Sequence, residues 1–159
     1  MMIQPNSMQK IYVANSMQKI YVANDHAGFK LKQHIHDYLS PRGYDLVDLG
    51  CFDGEKSVDY PDYADKLADA LFKDKQAFGI LICGSGIGIS IAANRHRHIR
   101  AALCHTPLDA ALARKHNNAN VIALGERVMG GDLAIACVDG FLTHEFEGGR
   151  HQARIDKFS

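Results

Sequence analysis

Phe78–Cys83 reads FGILIC and runs directly into Gly84-Ser85-Gly86-Ile87-Gly88. A continuous apolar run of this length is the mark of a strand covered on both faces, as in the middle of a parallel sheet. A short helical stretch through Ala92-Ala93-Asn94 follows, so the segment forms a strand–turn–helix unit. Toward the N-terminus, Lys19–Asn24 (KIYVAN) predicts a first strand, and Leu31, Ile35, Tyr38 and Leu39 recur at amphipathic-helix spacing until Arg42-Gly43. Tyr44–Leu49 alternates as a second strand. Pro61 then sits at a helix start, where its missing N–H costs nothing, and Ala64, Leu67, Ala68 and Leu71 form that helix's apolar face. Toward the C-terminus, Ile99–Cys104 predicts a fourth strand. Thr106-Pro107-Leu108-Asp109 opens a helix with an N-cap and an N1 proline, Asn120–Leu124 is a fifth strand, and Asp132–His144 a last long helix. This alternation predicts an α/β fold: a single three-layer αβα, Rossmann-like domain over residues 18–159 with a mainly parallel five-stranded sheet.

The chain has 159 residues, enough for one domain with a sizeable core. Lys+Arg and Asp+Glu number 18 each; this balance argues against nucleic acid and for a small-molecule partner. Cys51, Cys83, Cys104 and Cys137 contain no C-x-x-C pair and suit neither a zinc site nor a disulfide framework. They read as reduced thiols of a cytoplasmic protein. The leader MMIQPNS lacks the basic and apolar regions of a secretory signal, and no apolar run approaches the ~20 residues that span a bilayer. SMQKIYVAN occurs at Ser7–Asn15 and again, letter for letter, at Ser16–Asn24. One perfect repeat is not a solenoid, so residues 1–17 read as an appendage left by a duplicated start.

Parallel sheets of this kind place ligands beyond the carboxyl ends of their strands. The first strand leads to Asp25 and His26, the third to Cys83 and the Gly84–Gly88 turn, and the fifth to Arg127. His116 and Asn117 end the helix after the fourth strand, and Arg150 and Arg154 stand four apart in the tail. If the alternation holds, these groups converge at one end of the sheet. Glycines at alternate positions let backbone N–H groups approach a ligand; equally, they make a tight connection with no ligand. The spacing G-x-G-x-G after a third strand is not the dinucleotide fingerprint. A thiol beside such amides is suited to act as nucleophile or proton-abstracting base, or else it is a small buried hydrophobe. His116, at a helix C-terminus, fits a proton donor or a carbonyl cap. The other histidines carry no assigned role, and His96 and His98 read as part of a solvated basic turn. Arg150 and Arg154, if helical, share a face and fork a phosphate, or else form a solvated tail.

Taken together, NDHAGFKLK, DYPDYA, ILICGSGIGISIAAN, ARKHNNANVIALGERV and EGGRHQARI resemble the RpiB/LacAB family of sugar-phosphate isomerases, and its ribose-5-phosphate isomerase B branch in particular, over roughly residues 19–155. By position, the resemblance makes Cys83 the base that moves a proton between C2 and C1, and His116 the group that opens the furanose ring. It makes Asp25, His26, Gly84, Ser85, Gly86, Ile87, Gly88, Asn117, Arg127, Arg150 and Arg154 substrate-binding positions. It further implies no cofactor and no metal, a place in pentose phosphate metabolism, and a homodimer or homotetramer with active sites built across a subunit interface. Some members use a glutamate as base; Cys83 places this chain with the cysteine users. The expected reaction is the interconversion of ribose 5-phosphate and ribulose 5-phosphate through a cis-enediolate. Alternatives are an allose or galactose 6-phosphate isomerase of the same family, a non-catalytic nucleotide- or phosphate-binding module, and a redox sensor using Cys83 with a resolving thiol.

Overall fold

A computed structural model describes residues 18–159. The appendage expected over residues 1–17 lies outside the described residues. Five strands, β1 (Lys19–Asn24), β2 (Asp45–Asp48), β3 (Phe78–Cys83), β4 (Ala101–Leu103) and β5 (Val121–Gly125), form one sheet in the order β2-β1-β3-β5-β4. Every neighbouring pair is parallel. Helices α1 (Phe29–Leu39), α2 (Tyr60–Lys73), α3 (Ile87–Ala93), α4 (Pro107–Asn117) and α5 (Gly131–Leu142) connect the strands, and α6 (Arg150–Ile155) follows. Short 3-10 turns at His26–Gly28 and Ser40–Arg42 flank α1.

Strand alternation explains the three layers. Ile80 and Ile82 face one side with Ile20, Val22, Ile122 and Leu124, against Leu31, Ile35 and Leu39 of α1 and Phe141 of α5. Leu81 and Cys83 face the other side with Ala23, Val121 and Ala123, against Leu67 and Leu71 of α2 and Ile89 of α3. Gly79–Cys83 and all of β5 are buried, as the unbroken apolar runs require. Burying each large aliphatic or aromatic side chain contributes about 1.5–3 kcal/mol.

The edge strands are shorter than their sequences predict. β2 spans Asp45–Asp48, although Leu49 N still donates to Val22 O at 2.8 Å. β4 spans Ala101–Leu103 because Ile99 is used to close a turn onto His96 O (3.0 Å) and Arg100 N is taken by Asn120 Oδ1 (2.8 Å). An edge strand pairs on one side only, so local competition ends it early. α5 stops at Leu142, where Thr143 Oγ1 and His144 Nδ1 bond the carbonyls of Asp139 and Gly140 at 2.7 Å each. The Thr106 cap of α4 forms as expected, with Oγ1 accepting from Asp109 N at 3.1 Å. The helix continues to Asn117, and Asn118, at φ 45°, ends it in the left-handed conformation.

The chain moves outward from β1 to β2, then returns to the other side of β1 to lay down β3. The carboxyl ends of β1 and β3 therefore flank the point where the sheet reverses its winding, the crevice in which such sheets hold ligands. No helix among the described residues is long and apolar enough to cross a membrane.

Candidate active site

β1 delivers Asn24 and Asp25 to this crevice. Asp25 is buried, its N–H donates to Ile82 O (3.2 Å), and its Oδ1 accepts from Gly28 N (3.2 Å), which winds the chain into the tight turn before α1. Gly28 is required there: a Cβ would stand 2.6 Å from Ile82 Cγ2 and 2.8 Å from Ile82 O. His26 Nδ1 accepts from Val58 N at 3.1 Å, which leaves the proton of the neutral ring on Nε2.

β3 delivers the thiol. Cys83 is 4% exposed, and its Sγ accepts a hydrogen bond from Gly86 N at 3.1 Å. That bond depends on Gly86 adopting φ 78°, which folds the turn back over the sulfur. Ser85 Oγ accepts from Ile87 N (3.2 Å), and the first intrahelical bond of α3 is Ser90 N to Gly86 O (3.2 Å). The amides of Gly88 and Ile89 precede it and have no intrahelical acceptor.

β5 closes the far wall. Glu126 N and Arg127 N donate to Cys83 O (3.0 Å) and Gly84 O (2.9 Å), stitching the exit of β5 to the glycine turn. The Arg127 guanidinium lies over Gly84, where a Cβ would stand 3.0 Å from Nη1. The result is a cleft of about 360 Å³ lined by Asp25, His26, Cys83, Gly84, Ser85, Gly88 and Arg127, with Ala27, Tyr60 and Val128. One thiol, a fan of amides and a guanidinium thus face one space. Such a set can take a proton from carbon, hold an oxyanion and bind a phosphate.

Of the other candidates, Gly86 and Ile87 belong to the glycine turn without lining the cleft, and four lie elsewhere. His116, Asn117, Arg150 and Arg154 do not line the cleft, so the expected convergence of all candidates at one end of the sheet fails within one chain. The reason is geometric: α4 leaves the carboxyl end of β4 and runs back, so its last residues lie beside the entry to β5. There Asn118 O accepts from Arg100 Nε (2.8 Å) and Asn120 N donates to Arg100 O (3.1 Å). His116 faces Glu147 and His151 instead, and Asn117 borders a separate cavity with Arg95, Arg97 and Arg100. Arg150 and Arg154 are helical, four apart on α6, and exposed.

A family model described as Ribose/Galactose Isomerase matches residues 20–158. The chain belongs to this family. Within the ribose/galactose isomerases it is 48% identical over 132 residues to the ribose-5-phosphate isomerase B of Escherichia coli, covering 83% of this chain and 88% of the relative. Its fold matches the ribose-5-phosphate isomerase B of Clostridium thermocellum at TM-score 0.85 and 50% identity, over 88% of this chain and 94% of that one. The enzyme of Mycoplasma genitalium, solved with bound ribulose-5-phosphate, matches at TM-score 0.84 and 45% identity, over 87% and 92% of the two chains.

Three features of this family member escape a reading of its sequence. Tyr60 borders the cleft, its ring packed where Gly88 lacks a side chain; the stretch DYPDYA held the signal, since an aromatic residue opens a helix directly after a polar loop. Glu126 reaches from the end of β5 to accept from Leu31 N in the first turn of α1. His151, given no role in the sequence, stacks on His116 with ring centroids 4.2 Å apart. Nor is the RHRHIR segment simply solvated: His96 Nε2 pairs with Asp65 Oδ1 at 2.8 Å, and His98 Nε2 with Ala68 O at 2.7 Å. Of the thiols outside the cleft, burial pushes Cys104 up to about 12 and Cys137 up to about 11, and it raises Cys51 as well.

Proposed function

We propose that this chain interconverts ribose 5-phosphate and ribulose 5-phosphate, with Cys83 as the base. The observation that carries this reading is the Cys83 sulfur, facing the cleft at the winding reversal and held by the Gly86 amide, in a chain of the ribose/galactose isomerase family. The Gly86 amide holds the sulfur in place at the edge of the cleft. Cys83 removes the C2 proton of the open-chain aldose and returns it to C1, and a positioned base of this kind is worth about 10²–10⁴-fold. The free amides of Gly88 and Ile89 and the Ser85 hydroxyl are placed to hold the enediolate oxygens as charge develops. His26, through Nε2–H, and Arg127 supply donors for the phosphate or for sugar hydroxyls.

One copy of the chain gives half of such a site. Ring opening and full phosphate binding are assigned to His116, Asn117, Arg150 and Arg154 of a second copy docked over the cleft. Exposed apolar side chains support this arrangement: Val128, which lines the cleft, is 55% exposed, and Ile87 and Ile91, one turn apart on the helix that follows the glycine turn, are 52% and 58% exposed. Exposed apolar side chains of this kind suit a surface that a second copy covers. The four free thiols fit the reducing cytoplasm.

The family description also includes galactose, which favours a six-carbon phosphate as the second reading. Relative kcat/KM decides between them. The proposal expects ribose 5-phosphate to exceed allose and galactose 6-phosphates by about tenfold or more. The reverse order assigns the six-carbon sugar, and no turnover of any of them refutes the isomerase.

A further inference from the structure

The isomerase reading uses only His116 of one titratable cluster and gives its neighbours Glu147 and His151 no role. His116 ends α4, His151 lies in the first turn of α6, and Glu147 sits in the connection, where its N–H donates to Lys115 O at 3.0 Å. The two imidazole rings are stacked, 4.2 Å between centroids with planes 12° apart. One carboxylate oxygen, Glu147 Oε1, faces both: 3.3 Å from His116 Nε2 and 3.7 Å from His151 Nε2. Although these three groups are close enough together to suggest a metal site, a cation binds in the plane of an imidazole. With near-parallel rings, no single cation lies in both planes. The arrangement suits a shared proton better than a cation.

Two stacked imidazolium ions repel, so a second proton on the pair is disfavoured, and geometry decides which ring is suited to take the first. His116 is nearer the carboxylate, more exposed (39% against 11%), and at the C-terminus of an eleven-residue helix, which favours a cation. His151 is covered and flanked by Arg150 and Arg154. Burial first, then the His116 and arginine charges, push its titration below the ordinary histidine value, and Glu147 opposes them only in part. The charged groups that act on His151 are His116 on α4, Glu147 in the connection, and Arg150 and Arg154 on α6.

We propose that Glu147 is a positioning residue that holds the ring-opening proton on His116 Nε2, with the stacked His151 ring kept neutral behind it. The proposal rests on the reading of His116 as the ring-opening acid. In that step His116 Nε2–H gives its proton to the furanose ring oxygen, the bond from C1 to that oxygen breaks, and the C1 hydroxyl loses its proton to water as the carbonyl forms. His116, being partly exposed, recovers a proton from solvent, so the step balances.

The test separates ring opening from proton transfer. Ribulose 5-phosphate is open-chain, because the oxygen that would close its ring carries the phosphate. Exchange of its C1 hydrogen in deuterated water therefore reports the Cys83 step alone. With Glu147→Gln, the alkaline limb of kcat/KM for ribose 5-phosphate is expected about one pH unit lower, with activity at pH 8 reduced about tenfold, the low end for loss of a charge at this distance. C1 exchange should stay within about twofold of the wild type, and Glu147→Asp should restore much of the limb. His151→Phe, which keeps a stacked ring that cannot titrate, should leave the limb within about half a unit. An unmoved limb in Glu147→Gln, or equal loss of isomerisation and exchange, overturns the proposal. A limb lowered by His151→Phe overturns the placement of the proton on His116. A wild-type protein with neither reaction overturns the isomerase reading, and this proposal with it.

Discussion

Replacing Gly86 by alanine has a cost that follows from its surroundings. Its φ of 78° lies in the left-handed region, where a Cβ costs about 1–2 kcal/mol. The new methyl would stand 2.6 Å from Leu103 Cδ1, 2.9 Å from the Leu124 carbonyl carbon and 3.1 Å from Gly125 N. Leu103 can turn aside. The other two atoms are β5 backbone, paired with β3 through Ile82–Leu124 and Cys83–Gly125. The glycine turn must move instead, at an overpacking cost of about 1–3 kcal/mol. The sum, roughly 2–5 kcal/mol, lowers the thermal midpoint by about 4–20 °C for a chain of this size. The same movement takes Gly86 N away from Cys83 Sγ, now 3.1 Å distant. A base that is no longer positioned lowers kcat by about 10²-fold or more. Scanning calorimetry reads the first effect and NMR-followed isomerisation the second. A Gly86→Ala protein with a midpoint within about 2 °C of the wild type and unchanged kcat would refute the reasoning about this turn.

Three further outcomes follow from the structure. Equal amounts of inactive Cys83→Ala and His116→Ala proteins, allowed to exchange subunits, should recover about a quarter of wild-type activity, because half the dimers are mixed and each has one intact site. Failure to recover any, while the mixed dimers are seen by native mass spectrometry, would place both residues' work within one chain. His151, whose titration is held below the ordinary 6.5, binds its proton more readily in the unfolded chain. Its contribution to stability is therefore full above that value and lost as the pH falls through its folded value. The drop in thermal midpoint between about pH 7 and pH 5 should be shallower in His151→Phe than in the wild type, and equal slopes would contradict it. Finally, Cys104 and Cys137, at about 12 and about 11 and almost fully covered, should resist an alkylating reagent at pH 8 in the native protein. Rapid labelling of both, read by mass spectrometry, would show that those core thiols are reachable.

The strand–helix order was legible because its signals are local. FGILIC demands cover on both faces, Thr106-Pro107 supplies a cap within three residues, and Leu31, Ile35 and Leu39 repeat within one helix. The ends of β2 and β4 were not, since an edge strand's length depends on competitors such as Asn120, which lies 20 residues from Arg100. The cleft residues that follow β1, β3 and β5 were legible for the same reason as the fold: each comes directly after a recognisable strand. What sequence could not give was the separation of the candidates into two groups, because it depends on the direction of α4 relative to the sheet. The His116–Glu147–His151 cluster was hidden too. Its members are up to 35 positions apart and meet only because α6 docks beside the end of α4.

In this mechanism Cys83 moves the proton. Proton NMR of the purified protein with ribose 5-phosphate in deuterated water, with a chelator present and Cys83→Ala alongside, tests it most directly. The wild type should convert ribose 5-phosphate to ribulose 5-phosphate whether or not the chelator is present, and the variant should be slower by about 10²–10⁴-fold. Conversion at the wild-type rate by Cys83→Ala would contradict it.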